Sequence, residues 1–172
     1  MATPGRASEM LTQASFVEAL MPFISATPTL DRDLLKRGIK LATPSGAEIE
    51  KHPLRPFFVN DDDMKIADVL FRYFSAVQYR WPNAWKSNEK GQILNKTNGF
   101  KALMRTLMVI CRVHQPYKKL PSKEDFDALF EKVTLDENDF TVENFKPGTS
   151  GESTLYHRLV SEMQLDGQMS LF

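Results

Sequence analysis

Apolar and polar residues alternate with a helical period along most of this chain. In "TQASFVEALMPFIS", residues 12–25, Phe16, Val17, Leu20, Phe23 and Ile24 fall on one helix face. Ser15 and Glu18 have capping-box spacing, and Pro22 disturbs the last turn before "ATPT" ends the helix. "DRDLLKRG" predicts one or two turns stopped by Gly38. "LATPSGAEIEKHPLRPFFVN" is broken by prolines and polar residues; it reads as a loop with a short extended piece at Phe57, Phe58 and Val59.

Two strong helices follow. "DDDMKIADVLFRYFSAVQYRW" opens on aspartates, which favour a helix N-terminus through capping and the helix dipole. Ile66, Val69, Leu70, Tyr73, Phe74, Val77 and Trp81 continue it as one apolar stripe, and Pro82 stops it. After the turn-rich "WPNAWKSNEKGQILNK", the segment "TNGFKALMRTLMVICRV" places Phe100, Leu103, Leu107, Ile110 and Cys111 on one face. "PSKEDFDALFEKV" predicts a shorter helix started by Ser122 and Asp125, with Phe126, Leu129, Phe130 and Val133 inward. An acidic loop, 135–153, leads to "STLYHRLVSEMQ", whose apolar positions are Leu155, Leu159, Val160 and Met163. The pattern predicts a mainly α fold: a single helical domain over 8–164 with long irregular connections, and a flexible C-terminal peptide tail over 165–172 released by Gly167.

Composition narrows the function classes. Hydrophobic residues make up 42% of the 172, enough for one core. A lone cysteine, Cys111, excludes an internal disulfide; in the apolar run "LMVICRV" it reads as a buried thiol. The N-terminal "MATPGRASEM" lacks the apolar region of a signal peptide, and no apolar run is long enough to span a membrane, so a cytoplasmic protein is expected.

The net charge of zero hides an asymmetry. Residues 1–85 carry ten basic and ten acidic side chains, 86–123 nine basic against one acidic, and 124–172 three basic against eleven acidic. Lys101, Arg105 and Arg112 lie near one another on the second strong helix, with Lys118 and Lys119 just beyond. Such a segment either contacts nucleic-acid phosphates or lies against the acidic third and is neutralised there. "YRWPNAWK" sets Tyr79, Trp81 and Trp85 beside Arg80 and Lys86, an arrangement that can stack on unpaired bases, although Trp81 also continues an apolar stripe.

Enzymatic signals are weak. His52, His114 and His157 are scattered without ligand spacing, so no metal or cofactor is expected. The aspartates 61–63 lack a matching second cluster of carboxylates. "KPGTSGES" lacks the preceding strand and the Gly-Lys-Ser/Thr order of a phosphate loop, and reads as a loop with Ser150 or Ser153 capping the next helix. No nucleophile triad or carboxylate pair stands out, and a non-enzymatic protein is expected.

The final five residues, "QMSLF", resemble the pentapeptide by which bacterial replication and repair proteins dock on the β sliding clamp. That resemblance implies roles for Gln168 as the polar anchor, Met169 as a secondary contact, Ser170 as a spacer, and Leu171 with Phe172 as the pocket residues. It implies the bacterial β sliding clamp as partner, with DNA nearby. Longer stretches, "QASFVEALMPFIS", "FRYFSAVQYRWPNAW", "ILNKTNGFKALMRTL" and "GTSGESTLYHRL", resemble the helical C-terminal region of DGQHR-domain proteins of the DndB type over roughly residues 10–160. The namesake Asp-Gly-Gln-His-Arg motif is missing here, so that resemblance implies only a helical, DNA-associated accessory region from a modification or defence system.

Overall fold

In the computed structural model, the structure describes residues 11–166, and these are mainly helical. Helix α1 spans Gln13–Ile24, α2 Pro28–Lys36, α3 Gly46–Lys51, α4 Arg55–Val59 and α5 Asp63–Arg80. Helix α6 spans Pro82–Lys86, α7 Thr97–His114, α8 Lys123–Phe130 and α9 Thr149–Glu162. Outside the helices, an antiparallel bridge pairs Gln92 with Thr141, held by Ile93 N–H to Phe140 O (2.9 Å) and Val142 N–H to Gly91 O (2.8 Å).

The core forms around α7. Its residues Phe100, Ala102, Leu103, Met104, Leu107, Val109, Ile110 and Cys111 are all buried, a wider face than the single stripe expected. α9 packs on one side of it, α1 on another, and α5 carries α8. Tyr73 joins three of these elements. It lies on α5, its ring meets Phe126 and Phe130 of α8, and its hydroxyl donates to Leu103 O of α7 at 2.8 Å. Trp81 is fully buried, edge-on to Phe130 and Phe140, and its indole N–H donates to Leu135 O at 2.9 Å. Such partners are what a buried Tyr or Trp requires.

Several local expectations are corrected. α1 is capped by Thr12, whose hydroxyl accepts from Ser15 N–H, in place of a Ser15–Glu18 box, and Val17 faces solvent. α1 ends before "ATPT" and Gly38 (φ 71°) stops α2, both as expected, with Gly38 N–H bonded to Leu35 O (2.9 Å) and Ile39 N–H to Leu34 O (3.0 Å); the difference is that Pro28 starts α2 three residues before Asp31. The stretch 41–60 is not a plain loop. Ser45 and Glu48 form a full capping box that starts α3, and Phe57, Phe58 and Val59 lie in α4 rather than in an extended piece. Asp62 precedes α5 without a side-chain cap bond and instead pairs with Lys65 at 2.6 Å. Phe74 is half-buried: it sits outside the fully buried stripe, stacked between Trp85 (5.6 Å) and Phe100 (5.6 Å). α9 begins after Gly148, so Ser150 and Ser153 are inside the helix and neither caps it. Beyond α9, Met163 and Leu165 are buried, so the body's core extends one residue past the expected boundary at 164. Of the expected tail, 165–172, Gly167 and the pentapeptide 168–172 lie outside the described residues.

Candidate functional site

Two places collect polar chemistry. The first is a groove of about 440 Å³ between α1, α7 and α9. Its floor is apolar, made by Ala19 and Pro22 of α1 and Met104, Met108 and Val109 of α7. The predicted cations Lys101, Arg105 and Arg112 line it together, because positions i, i+4 and i+11 share a helix face. Each has a partner. Lys101 Nζ lies 3.7 Å from the Glu18 carboxylate. Arg105 donates to Glu152 (3.2 Å) and to Ser153 Oγ (3.0 Å), with its guanidinium 4.1 Å from the centre of the Tyr156 ring. Arg112 Nε donates to the Glu50 carbonyl at 3.1 Å, tying α7 to α3. The Arg105–Glu152 pair ties the basic segment to the acidic third of the chain at one point.

Lys118 and Lys119 are not part of this groove. They follow the left-handed Gln115 that ends α7, where Lys118 lies 5.7 Å from the Tyr117 ring centre. Lys119 and His114 face Asp125, whose carboxyl is held below the usual range chiefly by the Ser122 backbone N–H. The five predicted cations thus form two groups. The aromatic run is dispersed too: Trp81 is core, Trp85 stacks on Phe74, and Tyr79 stays exposed with Lys123 4.2 Å from its ring centre.

The second place is a buried polar node that the sequence reading missed. Ser25, at the end of α1, donates to Asp31 Oδ2 at 2.5 Å and accepts from Thr27 N–H. Arg55 of α4 forks onto both Asp31 oxygens (2.7 and 3.2 Å) and donates to Ile24 O (3.0 Å). The Arg55 guanidinium holds the Asp31 carboxyl below its usual range, against the upward effect of burial, and the Ser25 hydroxyl adds to the lowering. His52 Nδ1 donates to Pro22 O at 2.7 Å beside it, since a carbonyl only accepts. Every Ser25 and Asp31 oxygen is engaged, so neither is poised as a nucleophile or base. The node pins α1, α2 and α4 together beside a cavity of about 590 Å³ lined by Met21, Leu35 and Phe58. The Asp31–Arg55 pair spans 24 residues and leaves no periodic signal in the sequence.

Among the described residues no group of His, Cys, Asp or Glu is arranged to hold a metal ion, and no helix is long and apolar enough to cross a membrane. Protein-family models, curated proteins and solved structures compared with the chain give no match.

Proposed function

We propose that the protein is a non-enzymatic binder of the bacterial DNA sliding clamp, docking through 168–172. The observation that carries this reading is the sequence Gln-Met-Ser-Leu-Phe at those positions. In this reading the Gln168 amide hydrogen-bonds at one end of the clamp groove and Leu171 with Phe172 fill its apolar pocket.

Burying two such side chains contributes roughly 3–6 kcal/mol. Ordering the peptide costs about 1 kcal/mol per residue. These terms nearly cancel, so five residues with a few backbone hydrogen bonds give weak docking. Affinity of that order suits an accessory protein tethered on DNA. A replication inhibitor, toxin-like or phage-derived, needs further contacts from the helical body. The alternative of a DNA-binding accessory module is weakened by the groove on α7, where Glu18, Glu152 and the Glu50 carbonyl occupy Lys101, Arg105 and Arg112.

Calorimetry against purified clamp tests the proposal. Leu171→Ala with Phe172→Ala is expected to abolish binding and leave the melting temperature unchanged. Gln168→Ala weakens binding by about tenfold or less, the worth of one hydrogen-bonding group. Full affinity in the double variant would sink the reading.

A further inference from the structure

Among the described residues, the three most exposed large apolar side chains are Met64 (76%), Phe71 (74%) and Tyr79 (72%). All three belong to α5. At 100° per residue they fall within an arc of about 80° on the helix, and they span about 22 Å along it. Ala67 and Gln78 are exposed on the same side, and Ser75 is half-exposed. Among the described residues, Lys123 approaches the Tyr79 ring at 4.2 Å and Met64 and Phe71 stay open, and exposed apolar side chains lined up on one helix face mark an interaction site.

We infer that this face of α5 pairs with the same face of a second copy of the chain, in an antiparallel two-fold dimer. Three features select a second copy over another partner. The first is spacing. Met64 and Tyr79 lie seven and eight residues either side of Phe71, so an antiparallel pair centred at Phe71 and Arg72 sets each Met64 opposite the other copy's Tyr79. A two-fold interface requires this self-complementarity.

The second feature is shape. Beside Tyr79 a shallow hollow of about 470 Å³ is lined by Ser75, Gln78, Tyr79, Pro82 and Lys123, where the opposing Met64 arrives. The third is charge. Exposed Asp61 stands just before one end of the stripe, and Lys123 lies over Tyr79 at the other. Antiparallel pairing brings these two opposite charges together across the two-fold and opposes the helix dipoles favourably. Asp61, one turn before Met64, then meets Lys123 of the other copy. Lys123 bonds Asp127 at 2.6 Å and keeps further N–H groups for a second acceptor.

One helix face against another buries an area at the small end for specific interfaces, so the dimer is weak and concentration-dependent, with a dissociation constant of roughly tens of micromolar. Sedimentation equilibrium of the intact protein from about 5 µM to about 500 µM is expected to show a monomer–dimer equilibrium. Phe71→Glu weakens it at least about tenfold, as loss of a central anchor does. Because Phe71 is exposed, this variant keeps the wild-type melting temperature. Asp61→Lys and Lys123→Glu each weaken self-association, whereas an equimolar mixture of the two associates as well as the wild type, because each copy then presents the charge its partner lacks. A wild type that stays monomeric throughout overturns the proposal and leaves the face to a different protein. So does an unchanged constant in Phe71→Glu, or a mixture no better than its components.

Discussion

The buried pair between Asp31 and Arg55 is where a single residue weighs most. Both side chains are largely out of water, at 5% and 11% exposure, and Arg55 has given up hydration for the two carboxylate oxygens and the Ile24 carbonyl. Asp31→Asn keeps the shape and removes the charge, leaving a guanidinium uncompensated; the expected cost is about 3 kcal/mol in urea unfolding at pH 7. The same pair sets a pH dependence. Asp31 titrates below 3.8 when folded and returns toward that value when unfolded. Its contribution is therefore complete above about pH 4–5 and is lost as pH falls through the lower, folded value. Unfolding curves at pH 7 and pH 3 should show the gap between Asp31→Asn and the wild type narrowing in acid; a gap that widens would contradict the pairing. Tyr73→Phe is a milder probe. It removes the second hydrogen bond to the Leu103 carbonyl, which keeps its helical partner, and should cost about 1 kcal/mol, read by the same denaturant series.

At the scale of elements, two glycines behave in opposite ways. Gly99, in the first turn of α7, lies so close to the preceding chain that a Cβ would overlap the Ile93 and Leu94 carbonyl oxygens. These are backbone atoms and do not swing aside, so Gly99→Ala is expected to cost about 2–3 kcal/mol. Gly46 opens α3 with nothing within 4 Å of its would-be Cβ. Gly46→Ala should raise stability by about 0.5–1 kcal/mol through the unfolded chain's entropy. Thermal melts of the two variants should therefore move in opposite directions. The elements also explain what was legible. α5, α7 and α8 are long or well capped, and their apolar period shows through; the Ser122–Asp125 box is present as read. α3 and α4 have six and five residues, too few for a period to emerge, and prolines flank them. Prolines there start helices at their first turn, where no N–H is needed, and the same residues elsewhere stop them. The α7 cations were legible as neighbours on one face; their partners Glu18, Glu50 and Glu152 come from distant segments and were not.

For the molecule as a whole, the basic and acidic blocks of the sequence meet in the fold at particular pairs. Arg105 joins the basic segment to the acidic third through Glu152, half-buried beside Tyr156. Arg105→Glu sets two carboxylates against each other there, and the melting temperature should fall by about 2–4 °C at low salt. Raising the salt to about 0.5 M shortens the screening length and should recover part of that loss. A fall unaffected by salt would assign the damage to lost packing on Tyr156 instead.

Cys111 offers a clock for all of these experiments. Its thiol is buried on α7, and burial pushes its pKa well above the usual range, so the folded protein presents no thiolate. It is also the chain's one cysteine. A thiol reagent can therefore reach it only when the α7 core opens, and the labelling rate counts global openings under native conditions, without denaturant. Stabilised variants should label more slowly and destabilised ones faster, in step with their unfolding free energies. A cysteine introduced at an exposed position would react many orders of magnitude sooner, which makes site-directed dye attachment selective with the natural thiol left in place.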